Sequence, residues 1–304
     1  MARRPKPVPQ MTVPQFEAAF PDEEACANYL IARRWPKGVR CPRCGNDKRV
    51  FPVKTMPHKW QCYACAPNQG YRFSHIAGTI FENTNKPLRE WFRVVHLMLH
   101  SKKGMSALQI QRTMGFGSYE AAHSMCHKIR AALIAPEEKL AGIVEVDETW
   151  IGGKAYNKHG GKSGKWGTTG KTPIIGAISR KGNVVARVLR RVTKETAERF
   201  VRETVSSNVS LLATDENSVY SDLTEYRHGR VVHSAKQYVI GAIHTNTIEG
   251  FWSLFKRGIK GTYISVSKKY LQTYLHEFEY RHNLRHQPSV MFEVLLQSFR
   301  KVSG

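Results

Sequence analysis

Long apolar runs are missing from this chain. None approaches the roughly 18 residues that a membrane span requires, so no membrane partner is expected. The basic opening MARRPKPVPQ is not followed by an apolar stretch, so it does not read as a secretory signal and a cytoplasmic location is expected. Internal repeats are absent, and low complexity is confined to GGKAYNKHGGKSGKWGTTGK at 152–171. Acidic residues are scarce: 24 Asp and Glu stand against 47 Lys and Arg, a formal net charge of +23. Such an excess favours a polyanion over a merely soluble basic surface or an anionic membrane, because each phosphate neutralised releases a counterion. Cysteine is sparse too, six in 304 residues, but four of the six come in close pairs.

A chain of 304 residues can build one or two ordinary cores and a small appended module. Residues 1–35 read as a basic, Pro-rich arm and a short helix, DEEACANYLIARRW, with Ala25, Tyr29, Leu30 and Trp35 at helical spacing. Residues 36–80 hold the paired cysteines. Residues 86–135 give three helical stretches, KPLREWFRVVHLMLHSK, MSALQIQRTM and YEAAHSMCHKIRAAL, the last two separated by the turn signal GFGS. APEEK reads as a linker. From 141 to 300 the pattern becomes β-β-β-α-β-α: GIVEVDETWI, then TPIIGAISR and VVARVLRRV as a hairpin through Lys181–Gly182–Asn183, a helix, the short strand VSLLATD, and two helices.

Cys41-Pro-Arg-Cys44 and Cys62-Tyr-Ala-Cys65 are two C-x2-C knuckles at the spacing of a four-cysteine zinc site. In a reducing compartment such pairs read as metal ligands rather than disulfides. Four thiolates close the tetrahedron, so one Zn2+ here would be structural. Lys48, Arg49, Lys54, Lys59, Trp60, Tyr63, Tyr71 and Arg72 surround the knuckles and suit either a DNA grip or packing on neighbours. Cys26 and Cys126 stand outside the pattern, in apolar helical contexts, and read as core residues. The cadence of 105–133 fits a helix-turn-helix unit or a plain helical bundle. In the first case Ser118, Tyr119, His123, His127, Lys128 and Arg130 would face the major groove.

Three acids carry the chemistry. Asp147 lies in GIVEVDETWIGGK, Asp215 ends VSLLATD, and Glu249 sits in the helical run HTNTIEGFWSLFKRG. Hard divalent cations take carboxylate oxygens, and two such ions roughly 3.5–4 Å apart can serve the attacking and leaving oxygens of a phosphoryl transfer. Alternation puts Glu145 and Asp147 on one side of the first strand and Val144 and Val146 on the other. Lys256 follows Glu249 by close to two helical turns, on the same face, where it could meet a phosphate. Other readings stay open: Asp215 as the cap of a following turn, Asn246 with Glu249 as a capping box, and Glu145, Glu148 and Glu216 as rival ligands.

The strings VDETWIGGK, TDENSVYSDL and HTNTIEGFWSLFKRGIKGTY with YLHEFEYRHNLR resemble the catalytic domain of bacterial insertion-sequence transposases. The resemblance is to the ISXO-like group, which pairs an N-terminal zinc ribbon with a DDE domain, and it runs from about residue 14 to 297. It implies an α/β chain: a small zinc ribbon, a helix-turn-helix-like domain, then a ribonuclease-H-like mixed sheet with flanking helices. It implies two catalytic Mg2+ ions, for which Mn2+ can substitute, on Asp147, Asp215 and a third ligand. Glu249 matches the family's glutamate and Lys256 its downstream lysine; relatives that use Asn keep Asn246 open as the third ligand. The implied activity is cleavage at terminal inverted repeats and strand transfer into target DNA by a homo-oligomer on DNA. A structure-specific nuclease of the same fold, or a non-catalytic zinc-ribbon regulator, is the alternative.

Overall fold

The computed structural model describes residues 11–133, 138–152, 170–215, 217–231, 244–287 and 290–297. The basic arm, most of the low-complexity stretch and Glu216 therefore lie outside the described residues. Two compact units emerge, Met1–Leu133 with Gln287–Gly304, and Ile134–His286. No helix among the described residues is long and apolar enough to cross a membrane.

In the first unit, α1 (Val13–Ala19) begins at a capping box between Thr12 and Gln15, and α2 (Glu23–Arg34) at Asp22, whose carboxylate accepts from Ala25 N–H at 2.8 Å. The sequence reading had only the second of these. Val50–Pro52 (β1), Lys59–Cys62 (β2) and Tyr71–Ser74 (β3) form an antiparallel ribbon in that order. Then come α3 (Leu88–His100), α4 (Ala107–Met114) and α5 (Tyr119–Ala131), as the periodicity required. Gly115 ends α4 at φ 68°, a left-handed cap that suits glycine.

The second unit is a five-stranded mixed sheet. Its strands are β4 (Ile143–Ile151), β5 (Thr172–Ser179), β6 (Val184–Val188), β7 (Leu211–Asp215) and β8 (His228–Val231). Their order is β6-β5-β4-β7-β8, antiparallel from β6 through β4 and parallel from β4 through β8. This is the expected ribonuclease-H-like arrangement. β8 escaped the sequence reading because HGRV has no apolar alternation; parallel pairing with β7 makes it a strand. On one face α6 (Lys194–Thr204) packs Ala197, Phe200 and Val201 against Val144, Val146 and Leu212. On the other, α7 (Asn246–Gly258) and α8 (Leu271–Asn283) pack Ile248, Trp252, Phe255 and Phe278 against Ile174, Ile178 and Ala186.

The catalytic segment was expected to reach residue 300. The last helix, α9 (Met291–Gln297), lies instead in the first unit, where Phe292 meets the rings of Phe16, Phe20 and Phe92 at 5.6–6.2 Å.

The β6 edge is closed by side chains of α8. Asn283 Oδ1 accepts from Val184 N–H at 2.8 Å, Gln272 Oε1 from Val188 N–H at 2.8 Å, and Glu279 from Ala186 N–H between them. Asn283 and Gln272 also donate to the carbonyls of Val184 and Ala186. An edge that would otherwise template pairing with another chain is thereby satisfied. Glu279 is buried, and burial pushes its carboxyl up to about 8 from an ordinary 4.5, against the opposing pull of Ala186 N–H and Arg187. A raised folded-state value means the fold prefers the proton on, so stability should fall as pH rises from about 4.5 through about 8. Glu279→Gln keeps an acceptor for Ala186 and removes that titration; urea midpoints at pH 5 and pH 8 should differ less in the variant than in the parent.

Candidate active site

The site is built outward from β4. Glu145 points to the α7 face with no exposure at all. It accepts from Thr247 N–H at 2.8 Å, the Thr247 hydroxyl at 2.9 Å, Ile248 N–H at 3.0 Å and Arg180 Nε–H at 2.7 Å. A buried carboxylate is tolerable only with such a set of donors. Two of these donors are first-turn amides of α7, so a strand residue caps the helix and pins it to the sheet. The capping box of Asn246 and Glu249, the alternative reading of these two residues, does not form. Thr245 is the N-cap, Asn246 is the first helical residue, and the first-turn amides are already taken by Glu145. Glu249 instead accepts from the Thr245 hydroxyl at 2.8 Å.

Glycine at 176 allows the helix to approach. Gly176 pairs with Asp147 across β5 and β4. A Cβ there would meet Trp252 ring carbons at 2.6 and 2.7 Å. The Trp252 ring lies on bare backbone next to Asp147, one turn after Glu249.

Asp147 and Asp215 come together through strand register. β4 and β7 pair in parallel from Ile143–Leu211 to Glu145–Ala213, and two residues further along that register Asp147, in the middle of β4, comes level with Asp215, the last residue of β7. Asp147, Glu148 and Asp215 each offer an oxygen within 4.8 Å of the others. Glu249 is not in that group; it is exposed on the first turn of α7, as is Asn246. Burial pushes Asp147 up to about 7, the charges of Asp215 and Glu249 add to the rise, and Lys256 opposes it. Glu148 also reaches about 7, through burial and the charges of Asp215 and Asp147, against the pull of the nearby Tyr220 hydroxyl. Tyr220 is wholly buried and its phenol is raised well above 10. The capping alternative for Asp215 is partly realised: its Oδ1 accepts from Asn217 N–H at 3.1 Å, while Asn217 itself caps the following 3-10 turn.

Three mutually repelling carboxyls, partly stripped of water, gain most from a shared cation. Glu148 Oε1 is buried without a hydrogen-bond partner among the described residues. An all-oxygen donor set of this kind fits a hard divalent ion. Of the rival acids, Glu148 joins the cluster, Glu145 is the helix clamp, and Glu216 is outside the described residues. The signal for Glu148 was its place next to Asp147 in the Asp-Glu pair of β4.

In the first unit the four knuckle thiols meet. Cys41 and Cys65 Sγ are 3.8 Å apart, Cys44 and Cys62 Sγ 3.7 Å, and all four lie within 4.8 Å of one another. A Zn–S bond of about 2.3 Å gives tetrahedral edges of about 3.8 Å, whereas a disulfide needs about 2.05 Å. The cluster therefore fits structural zinc. Lys48, Arg49, Lys54, Lys59 and Arg72 are exposed around it, while Trp60 and Tyr71 turn inward onto Cys41, Cys62 and Phe73. On α5, Ser118 is the N-cap, Tyr119 is exposed and ring-paired with His123, and Lys128 is exposed. Arg130, expected in the groove, is instead fully buried and donates to Met105 carbonyl at 3.2 Å. Its position on the helix faces the bundle core with Cys126 and Ile129.

This sheet order, with Asp147 and Glu148 in mid-β4 and Asp215 at the end of β7, is that of a ribonuclease-H-like domain. An ISXO2-like transposase domain matches residues 139–283, and a transposase zinc-ribbon domain matches residues 21–68. The chain thus carries both domains that insertion-sequence transposases of the ISXO-like group combine. It is 27% identical over 293 residues to an uncharacterized protein in transposable element ISH50 of Halobacterium salinarum, covering 88% of this chain and 94% of that relative. Among solved structures, a chain of the simian T-cell lymphotropic virus intasome in complex with PP2A regulatory subunit B56 gamma matches at 14% identity. That match has a TM-score of 0.32 over 70% of this chain and 73% of its own, too slight a likeness to support a conclusion.

Gly176→Ala should cost about 1–3 kcal/mol through overpacking against Trp252, read as a lowered urea midpoint, with a matching loss of any activity that needs Glu249 beside Asp147.

Proposed function

We propose that the chain cuts DNA at the terminal inverted repeats of a mobile element and joins the freed end to target DNA. The observation that carries this reading is the convergence of Asp147, Glu148 and Asp215 on adjacent strands in a chain of charge +23. Asp147, Asp215 and Glu249 would hold two Mg2+ ions, with Asn246 the alternative third ligand and Glu148 a further carboxylate on the buried side. When bound, the ions would neutralise charge on the attacking and leaving oxygens.

The chain's own groups do the rest. Water attacks a phosphodiester, a P–O bond forms as another breaks, and a 3′-hydroxyl leaves. That hydroxyl then attacks a target phosphodiester in the same in-line geometry. Lys256, half-buried on α7 and close enough for its charge to act on Asp147, would hold a phosphate of the bound strand. Glu145 and Gly176 keep α7 seated so that Glu249 stays over the cleft. The ribbon and α5 would recognise the ends, with Lys48, Arg49, Lys54, Lys59 and Lys128 contributing counterion release. Two ends processed together imply an oligomer on DNA, and a chain of this kind acts in the cytoplasm.

An assay with Mg2+, end-bearing duplex and target plasmid tests the reading. Asp147→Asn should lower cleavage by roughly 100-fold or more, with an unfolding midpoint near pH 8 equal to or above that of the parent, since it removes a repelled, buried charge. Intact cleavage in that variant would refute the site. Cleavage without joined product in the parent would favour a structure-specific nuclease, and end binding without either product a regulator.

A second expectation concerns the ribbon. Cys44→Ser should bind less than one zinc per chain and weaken end affinity in gel shifts, with divalent-ion binding at the acids unchanged. Undiminished end affinity would remove the ribbon from end recognition.

A further inference from the structure

Beyond α7 the backbone does something costly. The helix runs into one wide π-turn, Ile259–Tyr263, and then into Ile264 at φ 63°, ψ −54°. Ser265 N–H closes on Tyr263 carbonyl at 2.6 Å, so Ile264 is the centre of the rarer, strained kind of γ-turn. A β-branched residue is ill suited to that region of backbone space, and strain of this sort persists only where the surroundings over-determine it. Here they do. The Tyr263 ring meets Tyr274 at 4.6 Å, and its hydroxyl donates to the Glu277 carboxylate at 3.0–3.1 Å. Glu277 is in turn paired with Arg281. The result is that Ile264 stands 83% exposed, the most exposed large apolar side chain among the described residues.

It stands at the lip of a cavity of about 410 Å³ that Trp150, Lys171, Lys256 and Lys260 also line. Trp150 lies on β4 three residues past Asp147, and Lys256 lies on the helix that carries Glu249. The cavity is therefore built on the same strand and helix as two of the carboxylates, roughly 10 Å further along each. Its chemistry is mixed in a specific way: three ammonium groups that suit phosphates, and an indole and an isoleucine that suit the face of a base. Apolar wedges set among basic residues are the means by which proteins unstack a base step, and an extruded base needs a lined pocket to receive it.

We propose that Ile264 is a wedge that enters the duplex next to the bond to be cut, and that the displaced nucleotide occupies the Trp150, Lys171, Lys256 and Lys260 cavity. Its base would lie against Trp150 and its phosphate on the lysines. This rests on the DNA-cutting reading above. The strained turn then has a purpose, since a wedge that could fold back on its own surface would not part stacked bases.

The test uses the full-length zinc-loaded protein and end-bearing duplexes with 2-aminopurine at single positions around the cleavage site, without Mg2+. The parent should raise fluorescence several-fold at one position, the mark of an unstacked base. Ile264→Gly fits the turn at least as well as isoleucine, so it should fold with an equal or higher thermal midpoint. It should bind the end within about 3-fold of the parent and lose the fluorescence rise, with slower cleavage once Mg2+ is added. Ile264→Met should restore the rise. The proposal is overturned if Ile264→Gly keeps the parent's fluorescence, or if the parent cuts in Mg2+ with no fluorescence rise at any position. In both cases the DNA-cutting reading survives. If the parent neither binds nor cuts the ends, both fall together, which separates the two failures.

Discussion

Glu145 lies in the middle of a sheet with no contact with water, and its carboxyl is the point to which the second unit, Ile134–His286, is tied. An ionised group in that position is ruinously unfavourable alone. Its answer is four donors, from Thr247, Ile248 and Arg180, two of them the amides with which α7 begins. The desolvation of one acid is thus offset by satisfying the open end of a helix, and breaking either side leaves the other unpaired. Because α7 carries Glu249 and Lys256, the same bond network fixes where those side chains stand relative to Asp147. The missing side chain at Gly176 allows the approach, and the Trp252 ring fills the space.

With that frame in place, the acid cluster is a site of managed repulsion. Asp147 and Glu148 are both raised to about 7, burial being the largest cause and neighbouring acids the next. Pre-assembled carboxyls that repel one another are poor at stability and good at gathering divalent cations. The cost of holding them together is met elsewhere in the fold, by the two apolar layers on either face of the sheet and by the α8 side chains that seal β6. The zinc ribbon solves a related problem by other means. Its apolar cluster is small, and four thiols at tetrahedral spacing let a metal supply folding free energy that so short a segment cannot obtain from burial.

Much of this was legible in the chain. Period-3.6 patterns marked the helices α2 through α8, which bury one face, and short apolar runs marked the strands β4 through β7, which are covered on both faces of the sheet. β8 and α1 were not legible: His228–Val231 is a strand only because β7 lies beside it, and Val13–Ala19 is too short for a period to show. Arg130 looked like a groove-facing cation because charge is usually outside; its place on the inner face of α5 buries it.

The sequence by itself determined the chemistry on offer: two cysteine knuckles at zinc spacing, a basic excess, and acids in a strand, at a strand end and early in a helix, in the order of a DDE domain. It did so because local spacing sets which side chains share a turn or a face. Tertiary structure alone decided which acids meet. The parallel register of β4 and β7 brings Asp215 to Asp147 and Glu148, places Glu249 outside their immediate cluster and assigns Glu145 to a helix clamp. Those outcomes depend on the register of two strands and on the seating of a helix, each set between segments some 70 to 100 residues apart. No local pattern encodes either.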